Sequence, residues 1–194
     1  MKKLTLDDLV PFQSYLPVQE KFLKSVIEEK KTRRVRLNDR MSGLFETRLS
    51  VWFQVQEMIR AEQIEQQEYL EEMLEVYNDL LPDDGELSMT LFIEIPNQNE
   101  LRLFNKSIVS IENHVFLQYG EHQIQSYEPT DEDDKDEEYT QSVHYLRFPF
   151  TPEQRRDFVS YEGDIVLSVS HPNYQTQLIL SAELVSSLQK ELND

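Results

Sequence analysis

The stretch Leu87-Ser88-Met89-Thr90-Leu91-Phe92-Ile93-Glu94-Ile95, held between Gly85 and Pro96, decides how this chain is read. Leu87, Met89, Leu91, Ile93 and Ile95 recur at every second position, the side-chain period of a β-strand with one face on a core. Pro82, Asp83, Asp84 and Gly85 supply turn chemistry before the run, and Pro96 lacks the N–H a ladder needs after it. The run predicts a central, well-covered strand. It also marks a change of regime, with helical spacing upstream and strand spacing downstream.

Upstream, Pro17 suits the first turn of a helix running to about Lys31, with Val18, Phe22, Val26 and Ile27 on one stripe. A short strand is expected from Val35 to Leu37. Val51, Val55, Met58 and Ile59 predict a second helix from Arg48 to Ile64. A third runs from Gln67 to Leu81, with Leu70, Met73, Leu74 and Tyr77 on its apolar face and Glu68, Glu72, Glu75 and Asp79 in a carboxylate row. Downstream, alternation predicts strands at Ser107 to Tyr119, Gln123 to Tyr127, Ser142 to Phe150, Asp164 to Ser170 and Tyr174 to Ser181. Several of them are joined by turns too short for parallel crossovers. Thr151, Pro152 and Glu153 carry the cap, the first-turn proline and the early acid of a helix start, and Ala182 to Leu192 closes the chain as a helix. The expected fold is α+β: N-terminal helices packed on a mostly antiparallel sheet of about six strands, with a C-terminal helix.

The chain has 194 residues, enough for a single domain over 1–194 with a continuous core. Between Glu128 and Glu138 there are eight acids, one lysine and no large apolar residue. So little burial does not offset the entropy of ordering, and a mobile acidic loop is expected at 128–138. The formal charge of −18 repels a phosphate backbone, which argues against nucleic acid as a partner. Charge is not uniform: Lys21 to Arg40 holds eight basic residues, whereas Phe53 to Glu86 holds eleven acids against Arg60 alone. The absence of cysteine excludes disulfides, thiolate nucleophiles and thiolate-ligated metal sites. Asp7 and Asp8 interrupt the N-terminal segment and no long apolar run follows, so a cytoplasmic protein with no membrane span is expected.

Several blocks carry a likeness: Gly43-Leu44-Phe45-Glu46-Thr47-Arg48, Gln54-Val55-Gln56-Glu57-Met58-Ile59-Arg60-Ala61-Glu62, Tyr77-Asn78 with Pro82, and Gly85-Glu86-Leu87-Ser88. With Tyr145-Leu146-Arg147-Phe148 and His171-Pro172-Asn173-Tyr174, they resemble an uncharacterised bacterial domain-of-unknown-function family over nearly the whole chain. Genes of that family commonly sit beside those for rubrerythrin and a heterodisulfide-reductase-like iron–sulfur oxidoreductase. The resemblance therefore implies a redox or peroxide-stress setting and a redox protein as partner, and it assigns no role to any residue.

The residues themselves offer one candidate polar cleft, drawn from Glu46, Arg48, Glu57, Arg60, Glu62, Glu94 and His171. Glu57 and Arg60 stand at i, i+3 and pair on a helix surface if nothing else engages them. Glu94 interrupts an otherwise apolar strand, so it faces solvent or needs a partner. A di-iron carboxylate centre needs Glu-x-x-His pairs, and the chain has none. Hydrolase signatures are absent, and four glycines do not make a phosphate-cradling loop or a dinucleotide fingerprint. His144 shares strand parity with Leu146 and Phe148, which suits a packed histidine. No cofactor or metal is expected. The expected function is that of a non-enzymatic accessory or interaction protein. The alternatives are an enzyme or metal-binding protein built on the carboxylate, arginine and histidine cleft, and a small-molecule sensor.

Overall fold

The structure, a computed structural model, describes residues 1–129 and 138–193. Among them are seven α-helices and two antiparallel sheets of four strands each, with a helix at the C-terminus. The mixed class matches the expectation. The single sheet of about six strands does not, because alternation marks which side chains share a face but not which ladder a strand joins. The chain divides into two compact units, Met1–Arg33 with Glu46–Asp83 and Arg34–Phe45 with Asp84–Asp194.

The first unit is helical: α1 (Phe12–Tyr15), α2 (Gln19–Arg33), α3 (Arg48–Glu62) and α4 (Gln67–Asn78). Thr47 caps α3 by accepting from Ser50 N–H, while the Ser50 hydroxyl accepts from Thr47 N–H. Gln63 ends the helix in the left-handed region at φ 52°. The N-terminal segment is tied to these helices: Trp52 Nε1–H donates to Asp8 O at 2.8 Å, and the Gln56 amide exchanges two bonds with the Val10 backbone. Tyr15, Val51, Trp52, Val55, Ile59, Leu74 and Leu81 form the core, each burial contributing about 1.5–3 kcal/mol for the larger side chains.

The second unit holds both sheets. The first sheet runs β1 (Arg34–Arg36), β2 (Met41–Phe45), β3 (Glu86–Ile93), β6 (Val143–Pro149). The second runs β5 (His122–Gln125), β4 (Val115–Tyr119), β7 (Val166–His171), β8 (Tyr174–Ile179). Leu87, Met89, Leu91 and Ile93 all point into one core with Leu117, Leu146 and Leu167, so the deciding run is the covered strand it promised to be. Two backbone bonds between Tyr127 and Arg147 stitch the sheets at one side. The remaining helices are α5 (Gln98–Ser107), α6 (Pro152–Ser160), opened by Thr151 and Pro152 as expected, and α7 (Ala182–Asn193). In α7, Leu184, Leu188 and Leu192 recur every fourth residue and enter the same core.

Two local readings are corrected. The strand expected at Ser107 to Tyr119 begins only at Val115, because α5 reaches Ser107 and Ser110, at φ 66°, opens a 3₁₀ turn over Ile111–Asn113. Strand β2 has no counterpart among the expected strands. Its Gly43, the residue that hides the strand pattern, leaves room for the Met89 side chain of β3: a Cβ there would stand 2.7 Å from Met89 Sδ. Of the acidic loop expected at 128–138, residues 130–137 lie outside the described residues. Glu128 at its start is anchored, accepting from Tyr145 N–H at 2.6 Å and meeting His144 Nδ1 at 2.7 Å.

Candidate functional site

Helix α3 places Glu57 and Arg60 on one face of the first unit, as their spacing requires. Glu57 Oε1 accepts from the Tyr15 hydroxyl at 2.9 Å and from Gln19 Nε2 at 2.9 Å. Its Oε2 accepts from Arg60 Nε at 3.1 Å, Arg60 Nη2 at 2.9 Å and Gln19 Nε2 at 3.1 Å. Burial pushes the Glu57 carboxyl up, but the bonds from Arg60, Tyr15 and Gln19 together outweigh it and hold the group below its ordinary value. Burial, reinforced by the Glu57 charge, pushes the Tyr15 phenol well above its ordinary value. The result is an ionised carboxylate with both oxygens engaged and a phenol that keeps its proton. In this arrangement they fasten α1 and the start of α2 to α3.

Most of the other singled-out residues find partners nearby. Buried Glu46 accepts from the Ser50 hydroxyl at 2.5 Å. Arg48 donates to Lys2 O and pairs with Asp8 at 2.7 Å, and its bond to Asp8 leads the effects that draw that carboxyl down to about 2. Glu62 is exposed at the end of α3. Glu94 belongs to the second unit, exposed and paired with Arg36 at 3.2 Å. His171, in the same unit, is buried: its Nδ1 accepts from Asn173 N–H, which leaves Nε2 to donate to Val109 O at 3.1 Å. Both ring nitrogens are thus committed to backbone groups. His144 is packed as expected, though its bonds go to Glu128 and Thr140 as well as to Gln141 O. Among the described residues, no three His, Asp or Glu side chains come together as a metal ion needs.

Hollows open at two places on the surface, lined, apart from Glu62, by residues outside the candidate cleft. The first, about 560 Å³, lies at the α3–α4 turn, with Ile64, Tyr69, Met73 and Val76 among its lining and Glu62, Glu65 and Glu72 at its edge. Tyr69 is 55% exposed and Val76 67%, an apolar stripe on the side of α4 away from buried Leu74. A neighbouring hollow of about 580 Å³ shares Ile64 and Glu65 with it and continues over Phe12 and Leu70. The second feature, about 330 Å³, opens on the second sheet and is lined by Gln118, Ser168, Ser170, Gln175 and Gln177 with Val169 and Thr176. A signal for both was present in the residues. From Ala61 to Asp79 there are seven acids and no Lys or Arg, whereas β4, β5, β7 and β8 contain no Asp, Glu, Lys or Arg in a chain that is 29% charged.

The family model described as "Protein of unknown function (DUF3501)" matches residues 3–192. A crystal structure at 1.90 Å resolution, described as a novel protein of unknown function from Burkholderia pseudomallei K96243, is similar in fold with a TM-score of 0.89. That protein is 27% identical, and the match covers 98% of this chain and all of the other. No curated protein matches the chain.

Proposed function

The chain belongs to the DUF3501 family of proteins of unknown function, and from that premise we propose that it is a non-enzymatic interaction protein of a bacterial redox or peroxide-stress system. The observation that carries the reading is the surface of α4, where Tyr69 and Val76 lie exposed beside a hollow that Glu62, Glu65 and Glu72 also line. An apolar stripe with a rim of one sign is the complement of a partner patch that is apolar at its centre and basic around it. The partner in this reading is a redox protein such as a rubrerythrin or an iron–sulfur oxidoreductase, and the setting is the cytoplasm. The saturated bonding of Glu57 supports a role without chemistry in the same unit.

Calorimetric titration with a purified rubrerythrin and a heterodisulfide-reductase-like oxidoreductase from the same genome tests the reading. One of them should bind, the affinity should fall as salt rises, and Val76→Asp should weaken it at least about tenfold, some 1.4 kcal/mol. Binding that ignores both salt and Val76→Asp would move the contact elsewhere. No binding by either protein would remove the redox partner from the account.

A further inference from the structure

We propose that the uncharged hollow on the second sheet binds a neutral, polyhydroxylated ligand the size of one or two sugar rings. Leu117, Leu167 and Val169 point into the core, so Gln118, Ser168 and Ser170, offset by one residue along the same strands, stand on the opposite face. Register sets Phe116, Ser168 and Gln177 side by side across three strands, with Gln175 opposite Ser170. The hollow over this face measures about 330 Å³, at the small end of the roughly 300–1,000 Å³ that ligand sites occupy.

Most of its side-chain hydrogen-bonding groups are unspent, Thr176, which donates to Leu37 O, being the exception. Ser168 is 7% exposed, yet its hydroxyl is buried and has no partner. A buried hydroxyl left unpaired is a cost to the fold, and a ligand atom that bonds it removes that cost. The amides of Gln118, Gln175 and Gln177 are not engaged by side-chain bonds elsewhere among the described residues. Each amide offers a donor and an acceptor, and a serine hydroxyl offers both at one atom. That set matches hydroxyl groups, which also give and accept at one atom. It does not match ions: the four strands supply no counter-charge, so a charged ligand would lose its hydration there without compensation.

Saturation-transfer NMR on the full chain, with glucose, maltose and myo-inositol as neutral probes and gluconate and glucosamine as charged ones, tests the proposal. At least one neutral probe should receive transfer and the charged ones should not. Ser168→Ala and Gln177→Ala should each weaken binding about tenfold. Ser168→Ala should also melt at or above the wild-type temperature, since it deletes an unpaired hydroxyl. If either variant folds poorly, Gln118→Leu, which keeps the bulk and removes the donor and acceptor, should weaken transfer to the neutral probe in its place. The proposal is overturned if no neutral probe binds, if transfer survives the substitutions, or if gluconate binds as well as glucose.

Discussion

Helix α4 and the outer face of the second sheet are both exposed, and they meet water by opposite means. The helix does it with carboxylates, Glu68, Glu71, Glu72 and Glu75, without a single basic residue. The sheet does it with glutamine and serine, and its four strands hold no charged residue at all. A formal charge of −18 averages over these two surfaces and describes neither. The difference teaches that the chemistry of a partner is set patch by patch. A basic surface suits the helix, whereas the sheet suits a ligand without charge.

The largest effects should come from truncating the two cores. Leu91→Ala in the sheet unit and Ile59→Ala in the helical unit each empty a buried site and should cost about 2–5 kcal/mol in urea denaturation. A cost below about 0.5 kcal/mol for either would place that side chain at the surface. As expected of a single domain, both variants should shift one common transition. Two transitions moving separately would make the units independent folding domains.

Next in size is Glu57→Gln, which replaces a charged acceptor of bonds from Tyr15, Gln19 and Arg60 and should cost about 1–3 kcal/mol at neutral pH. The Glu57 carboxyl is held below its ordinary value in the fold, so the unfolded chain takes up the proton first. The stability it supplies is complete above the ordinary value of 4.5 and drains as pH falls through the folded value. Asp8, held down to about 2, prolongs the loss to lower pH in the same unit. The gap between wild type and Glu57→Gln should therefore close on acidification. A gap that stays constant to pH 3 would mean that the carboxylate is not the group at work.

A smaller effect should follow from Glu72→Lys, which turns like-charge neighbours Glu68 and Glu75 into favourable pairs at i−4 and i+3. A gain of about 0.2–0.5 kcal/mol per pair is expected, together with weaker binding of a basic partner. Unchanged partner affinity would uncouple the carboxylates of α4 from recognition.

Much of this arrangement was legible in the residues. Leu87 to Ile95 announced β3, and Thr151 with Pro152 announced α6, because each segment carries its own period or cap. Strand β2 was not legible, since Ser42 and Gly43 break alternation and the reason for the glycine, Met89, lies on another strand. The split into two sheets depends on long-range pairing that no local pattern encodes. For the site, the Glu57–Arg60 pair could be read from its spacing, but Tyr15 and Gln19 could not, because they come from another helix and its approach. Likewise, committed ring nitrogens at His171 become visible only once Val109 and Asn173 are in place.

The smallest expected effect bears most directly on the central claim, that the polar cluster around Glu57 fastens helices and performs no chemistry. Thermal-shift measurements on wild type and Glu57→Gln with Fe, Mn, Zn and Ni ions, nucleotides and organic acids would test it. The account predicts that none of these raises the melting temperature of wild type relative to the variant. A ligand that stabilises wild type and loses that effect in Glu57→Gln would contradict it and place an active or metal-binding site in the helical unit.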